Sequence, residues 1–199
     1  MRTRLTELLG IAHPILSAPM TPQAGGALAR AVCEAGALGM LGFDEGESVE
    51  QLREQIGILR RGGFARPFGI GLVIWVLEER PDLLELAIEA RPALVSISFG
   101  DPAPYVERLH HASILVASQV QSKEAALVAA RAGVDLIVAQ GTEAGGHTGR
   151  VGTLPLLQIV LAALELPVLA AGGIASGRGL AAVLAAGACG AWLGTPFLV

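Results

Sequence analysis

The feature that most constrains the fold of this chain is a regular alternation of short apolar runs with longer segments of helical period. The runs are rich in β-branched residues or bounded by glycine and proline, which is typical of strands, and the longer segments are rich in Ala, Leu, Glu and Arg. Strands are predicted at residues 14–20, 38–43, 68–74, 93–99, 113–120, 134–139, 167–171 and 190–193. Helices are predicted at residues 27–35, 48–61, 81–90, 102–110, 122–132, 153–164 and 177–186.

Glycine follows several of the predicted helices, as in Glu34-Ala35-Gly36 and Arg131-Ala132-Gly133, where it can end the helix before the next strand. The strand at residues 136–139 shows no clean apolar-polar alternation, which indicates that both faces of the sheet are covered by helices. Eight such units predict an α/β fold of the (β/α)₈ TIM barrel class. An open doubly wound sheet is the competing fold.

The length of 199 residues, 52% of them hydrophobic, predicts one domain over residues 1–199. No helix is predicted after the eighth strand, where the sequence ends in the apolar residues 196–199. We therefore expect a barrel without its eighth helix and C-terminal segment. That expectation is consistent with a shortened chain or with coverage by another subunit.

The charge and cysteine content exclude several classes of partner. Fourteen Lys and Arg against 18 Asp and Glu give a formal net charge of −4, and no stretch gathers the basic residues into a stripe, so nucleic acid is not an expected partner. The two cysteines, Cys33 and Cys189, lie far apart with no C-x-x-C motif. This pattern favours a reducing cytosol and argues against a thiolate metal site.

The segment 179–199 carries no charged residue and is long enough to span a membrane. Its glycines, Pro196 and the lack of a flanking basic cluster argue against a span. Residues 1–10 alternate charge with leucine and contain no apolar signal core. We expect a cytoplasmic protein that does not contact a membrane.

The loop after the sixth predicted strand, residues 140–153, is the most unusual stretch of the sequence because it contains five glycines. Glycine is costly in conformational entropy, so such a loop indicates close backbone approach to a ligand rather than core packing. His147 lies in the middle of the loop, where an imidazole can take a proton from a substrate or hydrogen-bond its developing charge, and it is the predicted catalytic residue. Glu143 and Arg150 are predicted to form an ion pair that fixes the loop.

Three further loops leave the predicted C-terminal ends of strands. Residues 17–22, after the first strand, combine small residues with two prolines and suit a stiff backbone beside a flat ring. Gly172 and Gly173 follow the seventh strand, and Gly194 and Thr195 follow the eighth. Barrels commonly bind a phosphate with the N–H groups of these last two loops, so a phosphorylated cofactor is predicted.

Other motifs fail as sites. His110 and His111 are adjacent and have no ligand set at metal spacing, so no metal site is predicted. The Gly-x-Gly at residues 69–71 lacks the rest of a dinucleotide fingerprint. The end of the segment 96–102, which reads Ser-Ile-Ser-Phe-Gly-Asp-Pro, is expected to line the pocket.

The residues together resemble the nitronate monooxygenases, formerly called 2-nitropropane dioxygenases. The resemblance covers essentially the whole chain. The segments that carry it are residues 8–20, 95–102, 140–149, 170–174 and 194–197. The signature Glu143-Ala144-Gly145-Gly146-His147 is shared with the flavin-dependent enoyl-acyl-carrier-protein reductases, whereas the segment 95–102 looks more like the monooxygenases.

The resemblance implies FMN at the barrel mouth, with its phosphate at Gly172, Gly173, Gly194 and Thr195. The other residues that it implies around the flavin are Ala18, Pro19, Met20, Gln140, Gly145, Trp192 and Leu193. The implied reaction is the oxidation of alkyl nitronates with dioxygen to a carbonyl compound and nitrite. His147 would contact the nitro group and act as base toward neutral nitroalkanes. The expected partners are therefore a small nitronate and dioxygen, and the sequence leaves a homo-oligomer open.

Two departures from the family pattern accompany the resemblance. Gly71 stands where the family often has asparagine, which removes a side-chain contact to the flavin. The family also continues beyond the segment 194–197 into a last helix and a C-terminal portion. Two alternatives stay open: an enoyl reductase that uses FMN and a reduced nicotinamide, because the signature is shared, and a truncated barrel remnant without activity, because of the abrupt ending.

Overall fold

The computed structural model describes residues 1–43, 46 and 48–198. The strands are β1 Ile15–Ser17, β2 Met40–Gly42, β3 Gly69–Val73, β4 Leu94–Ser98, β5 Leu115–Val120, β6 Leu136–Gln140, β7 Val168–Ala171 and β8 Gly190–Leu193. They form one parallel sheet in the order β1-β8-β7-β6-β5-β4-β3-β2. An isolated parallel bridge from Leu16 to Leu38 joins β1 to the β2 side, so the sheet closes. The predicted (β/α)₈ barrel is confirmed, and the open doubly wound sheet is wrong.

Nine α-helices lie within the described ranges, and seven of them match the predicted helices to within a few residues. Their bounds are α1 Arg4–Leu9, α2 Gly26–Glu34, α3 Val49–Arg60, α4 Ile74–Glu79, α5 Asp82–Ala90, α6 Ala103–His111, α7 Lys123–Arg131, α8 Thr153–Leu161 and α9 Gly177–Ala185. A short 3₁₀ helix at Thr195–Phe197 follows β8. The prediction of seven helices is wrong by two, because α1 and α4 have no predicted counterpart.

Helix α1 closes the N-terminal end of the barrel. It begins with a capping box in which the Thr3 and Thr6 hydroxyls each accept the backbone N–H of the other residue, at 3.3 and 2.9 Å. Leu5 and Leu9, one turn apart, are buried among the inward-facing side chains of the strands. A Cβ on Gly190 would lie 2.4 Å from Leu5, so glycine is needed there for the helix to dock. The leucines, not the charges beside them, determine this segment's structure.

Helix α4 starts directly after β3 and is built from residues that favour strands. Ile74, Trp75 and Val76 are β-branched or aromatic, and their propensity for a strand hides the helix in the sequence. The segment is helical because this conformation buries Ile74, Val76 and Leu77 in the layer between strands and helices. Tertiary packing therefore overrides local propensity here.

Both faces of the sheet are buried, as the absence of alternation predicts. In β6, Leu136 and Val138 belong to the cluster inside the barrel, and Ile137 and Ala139 belong to the cluster beneath the helices. The inward-facing positions change character along β4, where buried Leu94 is followed by Ser96 and Ser98 toward the C-terminal end. At β4 the inside of the barrel is therefore apolar at the base and carries hydroxyl groups near the mouth.

The cysteines and the uncharged segment have ordinary structural roles. Cys33 and Cys189 are buried and free, and burial raises the pKa of both thiols, that of Cys189 to about 12. Residues 179–198 supply most of α9, then β8 and the 3₁₀ helix. Among the described residues, no helix combines the length and the apolar character that a membrane crossing requires.

Candidate functional site

A cavity of about 1090 Å³ opens at the C-terminal ends of the strands. This is the end at which parallel barrels carry their ligand sites, and the volume is at the upper end of that of small-molecule pockets. Every site residue predicted from the sequence lines this cavity. They are Ala18, Pro19, Met20, Gln140, Gly145, His147, Gly172, Gly173, Trp192, Leu193, Gly194 and Thr195. The structure thus brings these residues together around one cavity, and the contacts of each with a cofactor stay predictions.

Four backbone N–H groups on one side of this cavity have no acceptor. They belong to Gly172 and Gly173 after β7 and to Gly194 and Thr195 after β8, and we call them the amide cradle. Within the part of the chain that the structure describes, none of the four donates a hydrogen bond to a protein acceptor. Gly172 and Gly173 have φ values of 116° and 69°, a conformation that favours glycine. Unpaired amides in residues that line a partly buried pocket are suited to an anion.

The glycine-rich loop after β6 is held by the side chain of Gln140. This residue is 3% exposed, and its amide Nε2 donates to the carbonyl of Gly145 at 3.0 Å. Its Oε1 accepts a hydrogen bond from Nε2 of Gln121 at 2.8 Å. Gln140 and Gly145, both named as site residues from the sequence, are therefore in direct contact, and this hydrogen bond fixes the loop beside the cavity.

Glu143 fixes the other end of this loop, but not through the predicted ion pair. Its Oε2 accepts from the backbone N–H of Thr153 at 2.8 Å and from the Thr153 hydroxyl at 3.0 Å. No salt bridge between Glu143 and Arg150 occurs within the described residues, so the predicted ion pair is wrong. Backbone N–H groups, first its own and then that of Thr153, lower the pKa of the Glu143 carboxyl. The loop is closed by hydrogen bonds to the first residue of α8.

His147 lies against two aromatic side chains that the sequence did not single out as site residues. Its ring centroid is 5.3 Å from that of Trp75 and 5.4 Å from that of Phe99, both in edge-to-face geometry. Trp75 and Phe99 are themselves 5.5 Å apart. We call these two residues the aromatic wall. His147 is exposed, and its ring nitrogens make no hydrogen bond in the described part of the chain, so both are available to a ligand.

Phe99 adopts a backbone conformation that is unusual for a bulky residue. Its φ is +68°, which costs a non-glycine residue about 1–2 kcal/mol. This conformation brings the ring next to Trp75 and His147 as the chain leaves β4. The end of the segment 96–102 was expected to line the pocket, and within this segment the lining residues are Ser96, Ser98 and Phe99. No sequence signal reveals the strain, and α4, which carries Trp75, was itself missed.

The structure also explains Gly71. A Cβ at this position would lie 2.3 Å from Cγ of Pro19, so the proline ring fills the space that a side chain would need. Beside it, Ser96 is 2% exposed, lines the cavity, and its hydroxyl has no partner within the described residues. A buried hydroxyl without a partner is a polar contact point for a ligand.

The described residues contain no cluster of three or more His, Cys, Asp or Glu side chains that could hold a metal. His110 instead pairs with Asp135, with Nε2 and Oδ2 2.9 Å apart, and Asp135 also accepts from the backbone N–H of Val116. His110 thus has a structural partner on the outside of the barrel.

The chain is a parallel (β/α)₈ barrel with a cavity at the C-terminal ends of its strands, the place where barrels of this class carry their ligand sites. The sequence model of the nitronate monooxygenase family matches residues 2–199. The chain therefore belongs to the nitronate monooxygenase family, which is flavin-dependent.

Individual relatives differ in their named activities. A nitronate monooxygenase from Pseudomonas aeruginosa is 35% identical over 246 residues, covering 100% of this chain and 70% of the relative. A (3aS,4S,5R,7aS)-5-hydroxy-7a-methyl-1-oxo-octahydro-1H-indene-4-carboxyl-CoA dehydrogenase from Rhodococcus jostii is also 35% identical, covering 100% of this chain and 56% of the relative. The structure of FabK from Thermotoga maritima is 39% identical with a TM-score of 0.92, covering 100% of this chain and 63% of FabK. The chain thus spans between 56% and 70% of the length of these proteins.

Proposed function

We propose that residues 1–199 form a single FMN-binding domain that oxidises alkyl nitronates with dioxygen to a carbonyl compound and nitrite. The observation that carries the proposal is that four unpaired backbone amides and an unpaired imidazole share one cavity. The amide cradle fits the phosphate of FMN, because each of Gly172, Gly173, Gly194 and Thr195 offers a donor without a protein acceptor. Ala18, Pro19 and Met20, together with Trp192 and Leu193, would enclose the flavin ring.

The flavin would supply the electron transfer, and this chain's residues would bind, orient and move protons. His147 would hydrogen-bond the nitro group of the substrate through a ring nitrogen. With a neutral nitroalkane, the same nitrogen would accept the proton of the carbon next to the nitro group. The aromatic wall would orient the imidazole for this proton transfer, because Trp75 and Phe99 pack against it at 5.3 and 5.4 Å.

A second candidate function is the flavin-dependent reduction of an enoyl thioester. It is supported by the shared Glu143–His147 signature and by the relative whose name specifies a carboxyl-CoA substrate. The two functions differ in what reduces the flavin. A nitronate reduces it directly in the first, whereas a reduced nicotinamide does so in the second.

Anaerobic reduction of the FMN-loaded protein tests the proposal. We expect the yellow absorption to bleach with a nitronate alone and to persist with NADH or NADPH alone. Rapid bleaching by a reduced nicotinamide without nitronate would support the reductase instead. A protein that is colourless, stays colourless with FMN and melts at the same temperature with and without FMN would support the non-catalytic remnant.

The proposed function also specifies the partners and the location of the protein. The substrate would be a small nitronate, with dioxygen as co-substrate, and neither nucleic acid nor a membrane is a proposed partner. The proposed location is the cytoplasm, and the proposal is compatible with a monomer or a homo-oligomer. Size-exclusion chromatography of the purified chain checks the oligomer.

A further inference from the structure

We propose that Glu143 is a positioning residue for the amide cradle and acts on it through Thr153. The proposal rests on the proposed function, because it concerns the site offered to the FMN phosphate. Glu143 belongs to the signature shared by two flavin-dependent families and lines the cavity, and one of its carboxylate oxygens is already occupied by hydrogen bonds within the protein. Its Oε2 is engaged by Thr153 and by the hydroxyl of Thr142, 3.3 Å away.

Helix α8 begins without a side-chain cap from its own N-cap residue. The N-cap residue is Gly152, and no side chain at that position can accept a hydrogen bond. Pro155, two positions after Thr153, has no N–H to satisfy. Glu143 accepts the Thr153 N–H from the preceding loop and so takes over the role of the missing cap. A carboxylate is favoured at this end of a helix by the helix dipole.

Thr153 in turn contacts the chain at the amide cradle. The Thr153 hydroxyl lies 3.2 Å from the carbonyl oxygen of Ala171, the residue immediately before Gly172. A Cβ on Gly172 would lie 2.6 Å from this hydroxyl oxygen and 2.8 Å from the backbone nitrogen of Ala144. Gly172 is therefore packed directly against the side chain that Glu143 holds.

Gly173 also packs against Glu143, and the negative charge of the Glu143 carboxylate lies close to the amide cradle. A Cβ on Gly173 would lie 3.3 Å from the Cβ of Glu143, so the loop after β7 rests on the Glu143 side chain itself. A carboxylate this close to an anion site would repel the anion if its charge were unpaired. Here the N–H of Thr153 and two hydroxyls can donate to the Glu143 carboxylate, and it lies at the positive end of α8. Glu143 can thus support the cradle without opposing the phosphate.

This arrangement predicts an effect confined to the phosphate end of the cofactor. The experiment titrates the full chain with FMN and with riboflavin, which has the same ring and no phosphate, and follows flavin fluorescence. We expect Glu143→Ala and Thr153→Val each to weaken FMN binding about tenfold, the effect of misplacing one or two hydrogen bonds. Riboflavin binding is expected to change less than about twofold, because the ring contacts are elsewhere.

Conservative variants test the same contacts without a large loss of packing. Glu143→Gln keeps an oxygen that can accept the Thr153 N–H, and Thr153→Ser keeps the hydroxyl, so both are expected to recover most of the FMN affinity. Glu124→Gln is the matched control. Glu124 lies in the first turn of α7 and, like Glu143, has a pKa lowered by hydrogen bonds, first from its own backbone N–H and then from Ser122, but it does not line the cavity.

Each outcome decides the proposal. An unchanged FMN affinity in Glu143→Ala, or equal losses for FMN and riboflavin, would overturn it. Wild-type protein that binds FMN no better than riboflavin would overturn the phosphate site of the proposed function, and the role of Glu143 with it. If Glu143→Ala does not fold, as judged by circular dichroism, the comparison of Thr153→Val with Thr153→Ser decides: equal FMN affinities overturn the proposal.

Discussion

The two sides of the cavity are formed by different chemical groups, main-chain amides on one side and aromatic side chains on the other. The amide cradle consists of main-chain N–H groups at the ends of β7 and β8, and its chemistry is independent of side chains. The aromatic wall consists of side chains, one from a helix that begins after β3 and one at a strained position after β4. His147 comes from the loop after β6 and packs on the wall.

This difference explains why one side is visible in the sequence and the other is not. A site made of backbone amides needs residues without a Cβ at defined positions, so glycines after successive strands reveal it. A wall of aromatic rings has no required sequence pattern, because any segment that the fold brings nearby can supply a ring. We expect substitutions on the cradle to change cofactor affinity, and substitutions on the wall side to change turnover.

The largest effect is expected for His147→Ala. Loss of the base and hydrogen-bonding group should reduce turnover about 10²- to 10⁴-fold, most severely with neutral nitroalkanes, which must first lose a proton. FMN affinity should not change. Steady-state kinetics and flavin titration measure the two quantities, and His111→Ala, at the far end of α6, is the matched control. Unchanged turnover would remove His147 from the mechanism.

Gly172→Ala should act on the opposite side. An alanine at a φ of 116° is strained by about 1–3 kcal/mol, and its Cβ would approach the Thr153 hydroxyl to 2.6 Å. We expect FMN affinity to fall about 10- to 100-fold. Gly57→Ala is the control, because a Cβ there meets nothing within 4 Å on the surface of α3 and should stabilise the helix. A variant that retains wild-type FMN affinity would refute the role of the cradle.

Trp75→Leu and Phe99→Leu should give smaller changes. Each variant keeps an apolar side chain but removes an edge-to-face contact with His147, worth about 0.5–1.5 kcal/mol. We expect kcat/KM to fall about 3- to 10-fold while FMN affinity is retained. Phe64→Leu serves as control, since Phe64 contacts Arg30 and does not line the cavity. Weakened FMN binding in the wall variants would contradict the division between the two sides.

The smallest expected effect is a pH dependence at Glu143. Its pKa is lower in the folded chain, so its carboxylate stabilises the fold above the unfolded-state value of about 4.3, and this contribution is lost as the pH falls through the lower folded-state pKa. The difference in Tm between wild type and Glu143→Gln should therefore shrink as the pH falls from 6 to 3. A difference that is constant over this range would show that the charge of Glu143 does not contribute.

The fold was predictable because its signals are local and repeated. Apolar strands bounded by glycine recur along the chain, and the helices between them have clear ends. Helix α1 escaped prediction because its buried apolar residues are only Leu5 and Leu9, in a segment crowded with charge. Helix α4 escaped because its residues favour a strand, and only packing against the rest of the barrel makes it helical.

The sequence points to glycines and to His147, which line the cavity, but it does not reveal the contacts between the residues around them. The partner of Glu143 is Thr153 rather than Arg150, because the turn of the loop brings the start of α8 to the carboxylate. Sequence spacing does not report such a turn. Trp75 and Phe99 reach His147 from distant segments, and the positive φ of Phe99 has no sequence marker.

A crystal structure of the chain with FMN tests the central claim most directly. The account predicts phosphate oxygens within hydrogen-bond distance of the backbone nitrogens of Gly172 or Gly173 and of Gly194 or Thr195, with the His147 imidazole facing the flavin ring. A phosphate bound away from these nitrogens, or a His147 ring turned away from the flavin, would contradict it.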